Sequence, residues 1–364
     1  MNGDFDRRLV LKRLHYFWNI LVSSTYIEKE ERCEKMDMKN VIINFFPATL
    51  RKIWEKSECE WDKIEEIRIR VNKPIIIKER IKEYVLLKNG EIKEFSEGMD
   101  CNKYVIYTEK ELEEILRHLC KDSVYAYEEE RKQGFLVVQG GHRIGITGEV
   151  IHIEGKTYMA KYIRYMNIRI AHEIKGIANG VMKWLVSGEK IFNTLIVSAP
   201  GGGKTTLLRD ITRILSDGTA ECRGMGVGMI DERGELAGAY RGVASLDCGM
   251  RTDVITGGNK EQGARILIRT FAPRIIVMDE IGMRRDAESV LYAGVSGCNV
   301  IATAHGNSIN DLKCKPEIQE LLNKKVFQRI VFLNRGQHGM RSYEIWDGEG
   351  VQLCGENLLQ EYLC

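Results

Sequence analysis

The chain has 364 residues, 44% hydrophobic and 29% charged, which is globular composition and excludes a disordered or fibrous protein. Its 54 basic and 52 acidic side chains give a net charge of +2, which argues against a dedicated nucleic-acid binder. Of the 35 glycines, 27 fall between Gly134 and Gly306, whereas 53 of the first 133 residues are charged. These two compositions indicate two modules. In the glycine-rich module we expect tight turns or a close approach of the backbone to a ligand.

The N-terminal segment has an apolar run over residues 14–27 that is too short for a transmembrane helix, which needs about 20 residues. This run predicts a membrane-surface helix, a buried helix or an extension outside the fold. We expect residues 1–38 to be an extension that is disordered or non-native. The ten cysteines include no C-x-x-C pair, so we expect reduced thiols in a cytosolic protein, without zinc or disulfides.

Apolar periodicity predicts the elements of the first module. A helix is expected after the apolar stretch that begins at residue 41, with Pro47 in its first turn, and further helices over 109–120 and 123–131. Alternating or β-branched runs predict strands over residues 64–71, 74–77, 84–87 and 163–171.

The segment that starts at Gly134 alternates apolar residues with glycine turns, which predicts a β-meander. Together with the preceding helices and strands, this indicates an α+β N-terminal domain over residues 39–180.

From residue 192 the predicted elements alternate as strand, helix and strand, which is typical of a parallel α/β sheet. The predicted helix covers residues 204–215. The predicted strands cover residues 194–198, 226–230, 275–278, 300–303 and 326–333. We expect this second domain to span residues 181–364.

A phosphate-binding loop is predicted between the strand over 194–198 and the following helix, although the first motif position holds serine where the pattern has glycine. Its backbone N–H groups would cradle phosphate oxygens, Lys204 would reach the β- and γ-phosphates, and Thr205 would coordinate Mg²⁺. The residues of this predicted nucleotide loop are Ser198, Ala199, Pro200, Gly201, Gly202, Gly203, Lys204, Thr205 and Thr206.

Two carboxylates follow the buried strand over residues 275–278, and the first of them lies 75 residues beyond the loop lysine. Asp279 is predicted to hold Mg²⁺ through water, and Glu280 to orient or deprotonate the attacking water. Glu232 and His305 follow two further strands, and ligands of open α/β sheets sit at the carboxyl ends of strands. Both are therefore candidates to face a γ-phosphate.

Arginines form the remaining class of candidates, because a transferring phosphoryl group needs a positive partner. The sequence leaves open which arginine acts, and whether it acts across a subunit boundary. The arginines in or beside the predicted strands are Arg233, Arg241, Arg251, Arg269 and Arg274.

Several motifs in order resemble the secretion ATPase superfamily, the hexameric RecA-like motors of type II and type IV secretion, and more closely its sporulation branch in endospore-forming bacteria. The similarity covers about residues 39–350, with serine at the first loop position and the N-terminal extension as its departures. The motifs are Glu66–Arg70 with Pro74, Gly140–Glu149, Arg169–Gly176, the phosphate loop, Asp231–Glu235, Arg251–Val254 and Asp279–Gly282.

This resemblance implies a RecA-like P-loop ATPase domain that binds ATP and Mg²⁺, with an Asp box at Asp231–Glu235, a Walker B segment at Asp279–Glu280 and a His box at His305. It makes Arg269 the best candidate for contacting the nucleotide. It also implies a hexameric homo-oligomer in the cytoplasm, docked at the inner face of the membrane on proteins of a stage III sporulation channel between mother cell and forespore. The near-neutral charge of both modules argues against a nucleic-acid partner.

Three other functions stay open at this point. A nucleic-acid translocase on the same core would show ATPase activity stimulated by DNA, although both modules are close to neutral. A nucleotide-binding scaffold would assemble a membrane complex with little hydrolysis. A small-molecule kinase would need an acceptor-binding segment, and we find none in the sequence.

Overall fold

The computed structural model describes residues 38–79, 82–96, 101–120, 134–149, 151–153, 156–158, 162–219, 222–335 and 341–358. The predicted helix over 123–131 and the N-terminal run over 14–27 lie outside these ranges. No helix within them is long and apolar enough to cross a bilayer.

Nine helices are described. They are α1 (Met38–Ile43), α2 (Ala48–Glu55), α3 (Glu109–Leu119), α4 (Asn179–Leu185), α5 (Lys204–Asp217), α6 (Lys260–Phe271), α7 (Arg284–Val295), α8 (Ile309–Lys313) and α9 (Pro316–Asn323).

The described strands number nineteen. They are β1 (Glu66–Arg70), β2 (Ile76–Glu79), β3 (Lys82–Leu86), β4 (Ile92–Glu94), β5 (Phe135–Val138), β6 (His142–Gly148), β7 (Ile151–Ile153), β8 (Lys156–Tyr158), β9 (Ile163–Arg169), β10 (Val186–Ser187), β11 (Lys190–Ile191), β12 (Thr194–Ser198), β13 (Val227–Asp231), β14 (Thr252–Thr256), β15 (Ile275–Met278), β16 (Asn299–His305), β17 (Arg329–Arg335), β18 (Arg341–Asp347) and β19 (Gln352–Leu358).

The first sheet is antiparallel, with seven strands in the order β4-β3-β2-β1-β9-β6-β5. Alternate residues such as Ile67 and Ile69 of β1 are fully buried against a core that also contains Phe46 and Trp54. The indole of Trp54 donates a hydrogen bond to the hydroxyl of Tyr107 at 3.0 Å, so these two buried polar groups are paired.

The predicted β-meander is wrong in its pairing. Strand β6 pairs with β9, as in Ile144 opposite Ile168, while β7 and β8 form a separate two-stranded hairpin. The reason is that β9 alternates buried residues such as Met166 and Ile168, and it lies between β1 and β6 with both edges bonded.

The second sheet has eight strands in the order β14-β13-β15-β16-β12-β17-β18-β19. The first six run parallel, and β18 and β19 pair antiparallel at the end. Every residue of β12, β13 and β15 is buried, as expected for parallel strands covered on both faces. The parallel sheet and its five strands predicted from the sequence are confirmed.

The turn between β5 and β6 of the first sheet packs on the segment that follows β13 of the second. A Cβ on Gly141, whose φ is +75°, would lie 2.7 Å from the Cα of Gly238. The guanidinium of Arg143, on β6, forms an ion pair with Glu235. The segment after β13 therefore contacts both sheets.

Buried His142, next to this turn, makes folding stability depend on pH. Its Nδ1 accepts a hydrogen bond from the Ala171 amide at 3.1 Å, and its Nε2 has no partner. Burial, with a smaller contribution from His172, lowers the pKa of His142 from 6.5 to about 4. The unfolded chain therefore takes up the proton first as pH falls, and stability is lost between pH 6.5 and 4.

We expect this loss to reach about 3 kcal/mol by pH 4. Denaturant unfolding between pH 8 and pH 4 measures it, with His142→Gln compared against the wild type. The variant should lose that share of the pH dependence, and His118→Gln, on α3, should keep it. Equal slopes for H142Q and the wild type would contradict the assignment.

Candidate functional site

The loop between β12 and α5 turns through glycines that take the left-handed conformation. Gly201 has φ +72° and Gly203, which precedes the helix, has φ +95°. A Cβ on Gly202 would lie only 2.3 Å from the Oγ of Ser198. The serine at the first loop position thus occupies the space that a side chain at Gly202 would need, and its hydroxyl donates to the Ala199 carbonyl at 2.8 Å.

Lys204, the first residue of α5, is buried with its ammonium inside the turn of the loop. Its Nζ donates to the carbonyls of Ser198 at 3.1 Å and Ala199 at 3.2 Å, and it lies 3.0 Å from Nδ1 of His305. Burial is the main cause that lowers the pKa of Lys204 below 10.5, opposed by the Asp279 and Glu280 carboxylates. The ammonium is therefore a poorly hydrated cation surrounded by acceptors.

Thr205 and Asp279 meet at the carboxyl ends of β12 and β15. The Thr205 hydroxyl donates to Asp279 Oδ2 at 3.2 Å, and the Thr303 hydroxyl of β16 donates to Oδ1 at 2.5 Å. Three neighbouring parts of the parallel sheet thus converge on one carboxylate.

Glu280 has a left-handed backbone, with φ +51°, and this conformation costs free energy in a residue other than glycine. Its amide donates to the hydroxyl of Thr303 at 2.7 Å, which supports the turn. Its Oε1 lies 3.0 Å from Nε2 of His305, and its Oε2 lies 2.9 Å from Nη1 of Arg233. Both carboxylate oxygens are therefore engaged.

His305 connects Lys204 to Glu280 through its two ring nitrogens. An ammonium can only donate, so Nδ1 accepts from Lys204 and Nε2 carries the hydrogen that is donated to Glu280. This assignment makes the imidazole neutral, in the Nε2–H tautomer. The ring therefore links the loop lysine with the carboxylate that follows Asp279.

The segment after β13 is fixed from the side of α5. Asp231 is buried, and its Oδ2 accepts from the Ala237 amide at 2.8 Å, while burial raises its pKa above 3.8. Arg209 of α5 donates to the carbonyls of Leu236 at 2.5 Å and Glu235 at 3.0 Å. The sequence analysis did not single out Arg209, since an arginine in mid-helix carries no motif signal.

Glu232 lines the same cleft as Asp279, Glu280 and His305. Its Oε2 lies 2.6 Å from Nζ of Lys260, the first residue of α6. The fold thus brings four of the predicted catalytic residues to one end of the sheet: Lys204, Glu232, Glu280 and His305.

Arg269 is not brought to this end of the sheet. It lies in the last turn of α6, nine residues beyond Lys260, or about 14 Å along the helix axis, on the exposed side. Arg233 is the arginine of the predicted set that contacts the site, through Glu280. Arg251 and Arg274 instead donate to the carbonyls of Ser216 at 2.9 Å and Glu189 at 3.3 Å.

The donor set suits a magnesium nucleotide. A threonine hydroxyl and an aspartate carboxylate are the hard oxygen ligands that Mg²⁺ takes from proteins, with phosphates and waters completing the shell. The described residues hold no group of three or more His, Cys, Asp or Glu side chains suited to a metal ion by itself. Thr205 and Asp279 would therefore hold Mg²⁺ together with the phosphates.

These elements define a mixed α/β protein with a strand, a glycine loop and a helix at the carboxyl ends of a parallel sheet. The family described as sporulation stage III, protein AA, matches residues 36–353, and the chain belongs to that family. The chain is 34% identical over 314 residues to stage III sporulation protein AA of Bacillus subtilis (strain 168), a match that covers 85% of this chain and 96% of that protein.

Two similarities are more distant, one to a protein sequence and one to a solved structure. An uncharacterized protein, ycf45, of Porphyra purpurea is 28% identical over 184 residues, which cover 50% of this chain and 31% of that protein. The X-ray structure of the Legionella pneumophila ATPase DotB matches with a TM-score of 0.51 at 15% identity, over 84% of this chain and 82% of that one. This chain therefore shares its fold with the DotB ATPase.

Proposed function

We propose that the chain is a Mg²⁺-dependent ATPase. The observation that carries this proposal is the contact between the Thr205 hydroxyl and the Asp279 carboxylate, 3.2 Å apart, with Glu280 as the next residue. A helix N-terminus, a loop with left-handed glycines and a lysine adjoin this contact, and together they suit a polyphosphate. Bound Mg²⁺ supplies positive charge that neutralises the phosphate oxygens.

Each residue of the site has a proposed role in ATP hydrolysis that follows from its chemistry. The amides of the loop from Gly201 to Thr206 and the ammonium of Lys204 bind the phosphates. Thr205 and Asp279 hold the metal shell. Glu280 orients the attacking water and takes up its proton, because it is the carboxylate that follows Asp279 and lines the same cleft.

Three further residues complete the proposed assignments. His305 contacts both Lys204 and Glu280, so it senses whether the lysine is engaged with phosphate. Glu232 faces the γ-phosphate from the neighbouring strand, as the Asp box of the resemblance implies. Arg269 lies far from this cleft in its own chain, so a role toward the nucleotide requires a neighbouring subunit.

We propose that this activity drives a sporulation-associated, secretion-like channel complex. The family, whose curated member is a stage III sporulation protein, supports the sporulation context, and the fold shared with the DotB ATPase supports a motor. The proposal includes an N-terminal domain over 39–180, a RecA-like domain over 181–364, a hexameric ring, and a cytoplasmic position at the inner face of the membrane, docked on membrane proteins of the channel.

One observation favours the nucleotide-binding scaffold as the second candidate. Both carboxylate oxygens of Glu280 are engaged, by His305 and Arg233. A carboxylate held in this way is a poor base for the attacking water, so ATP hydrolysis would be slow. Phosphate release from ATP, measured in Mg²⁺ and again in excess EDTA, separates the two functions. The ATPase proposal expects Mg²⁺-dependent turnover without stimulation by DNA. Tight binding with no turnover would favour the scaffold.

A further inference from the structure

Lys260 is a buried cation in a place where the fold itself does not favour one. It is the first residue of α6, directly after the N-cap Asn259, and its side chain is 6% exposed. The partial positive charge of a helix N-terminus repels a lysine, and burial of the ammonium costs further free energy. Asn259 already caps the helix by accepting from the Gln262 amide at 2.9 Å. Helix formation therefore does not explain Lys260.

The ammonium of Lys260 lies between two carboxylates from different segments. Its Nζ is 2.6 Å from Glu232, which follows β13, and 3.6 Å from Oδ1 of Asp286, in the first turn of α7. Asp286 is also buried, and its Oδ2 accepts from the amides of Gly282 at 3.0 Å and Met283 at 2.9 Å. These amides belong to the turn over residues 281–283, directly after Glu280.

Lys260 thus connects the two segments that carry Glu232 and Glu280. One carboxylate partner is Glu232 itself, and the other, Asp286, accepts from the amides of the turn that follows Glu280. The Lys260 ammonium therefore faces two carboxylates of the protein itself.

We propose that Lys260 is a positioning residue that orients the Glu232 carboxylate and holds the turn over residues 281–283 behind Glu280. The consequence for catalysis rests on the proposed ATPase function, in which the two glutamates act on the nucleotide. The connection between the two segments is a property of the folded chain and does not depend on that function.

Hydrogen exchange of the full chain without nucleotide tests this connection. Lys260→Met should raise exchange at least about 10-fold in peptides over 232–236 and 281–286, because both carboxylates lose their counterion. The matched control is Lys324→Met, which removes the exposed pair with Glu320 at 2.7 Å and should change neither peptide. Lys260→Gln replaces K260M where that variant does not fold. Unchanged protection of both peptides would overturn the proposal.

Steady-state kinetics test the consequence for catalysis. Lys260→Met should lower kcat about 10- to 100-fold with KM for MgATP within about threefold, and Lys260→Arg should restore part of the loss. The double variant with Glu232→Gln should lose less than the product of the two single losses, since Lys260 acts partly through Glu232. A raised KM at unchanged kcat, or fully multiplicative losses, would overturn it. A wild type without turnover would refute the ATPase proposal instead, and exchange would still decide the role of Lys260.

Discussion

Glu280→Gln should lower the turnover of MgATP by about 10²- to 10⁴-fold, which is the contribution of a positioned general base. The amide cannot take up the proton of the attacking water, yet it has the size of the carboxylate and still accepts a hydrogen bond from His305 or Arg233. Affinity for MgATP should stay within about threefold of the wild type, because Glu280 does not contact the phosphates in this assignment. Phosphate release and equilibrium titration on the same preparations measure both quantities.

The matched control for this variant is Glu288→Gln on α7. Glu288 is an exposed carboxylate paired with Arg284 at 3.4 Å, so its removal should leave turnover and affinity unchanged. Hydrolysis by E280Q at the wild-type rate would refute Glu280 as the base. Loss of binding together with hydrolysis would instead show that Glu280 acts in binding the nucleotide.

Lys204→Ala should weaken nucleotide binding by about 100-fold, which corresponds to about 3 kcal/mol for charge-assisted hydrogen bonds to phosphate. Folding stability should respond differently. Burial lowers the pKa of Lys204, so at neutral pH the buried ammonium costs the folded chain free energy that alanine does not. The variant should therefore unfold at or above the wild-type temperature while binding is lost. Titration with MgATP and thermal unfolding test the two parts.

A lysine outside the cleft gives the comparison for K204A. Lys324→Ala removes an exposed ammonium of the same size and should leave the affinity for MgATP unchanged. An affinity of K204A within about threefold of the wild type would show that the nucleotide does not use this loop. A large drop in unfolding temperature would show that Lys204 is a structural residue.

The glycine loop and the two carboxylates after β15 could be predicted because each is a local pattern. Strand β15 is an uninterrupted apolar run followed by two carboxylates, and β12 has an apolar centre and leads into the glycine loop, which places both segments at the edge of a buried sheet. The serine at the first loop position looked like a departure from the pattern. In the structure its hydroxyl occupies the space that a side chain at Gly202 would need, so the serine requires glycine at that position.

Edge strand β14 was missed because its residues are only partly buried, so the sequence Thr-Asp-Val-Ile-Thr lacks the apolar run of a central strand. Strand β9 was predicted, but its place between β1 and β6 depends on a pairing that no local pattern specifies.

The ion pairs of the site could not be predicted for the same reason. The choice of Arg233 over Arg269 and the position of Lys260 between Glu232 and Asp286 follow from strand order, which brings together residues far apart in the chain. Sequence spacing alone gives equal weight to every arginine beside a strand. The direction of α6 decides between them, because it places Lys260 at the carboxyl edge of the sheet and Arg269 near the opposite edge.

Phosphate release from MgATP, measured against protein concentration together with the mass of the assembly, tests the central claim most directly. The account predicts Mg²⁺-dependent turnover that rises per chain as oligomers form and that falls to the background rate in E280Q. Phosphate release that never exceeds the E280Q level, at any protein concentration or assembly mass, would contradict an ATPase built on Lys204, Thr205, Asp279 and Glu280.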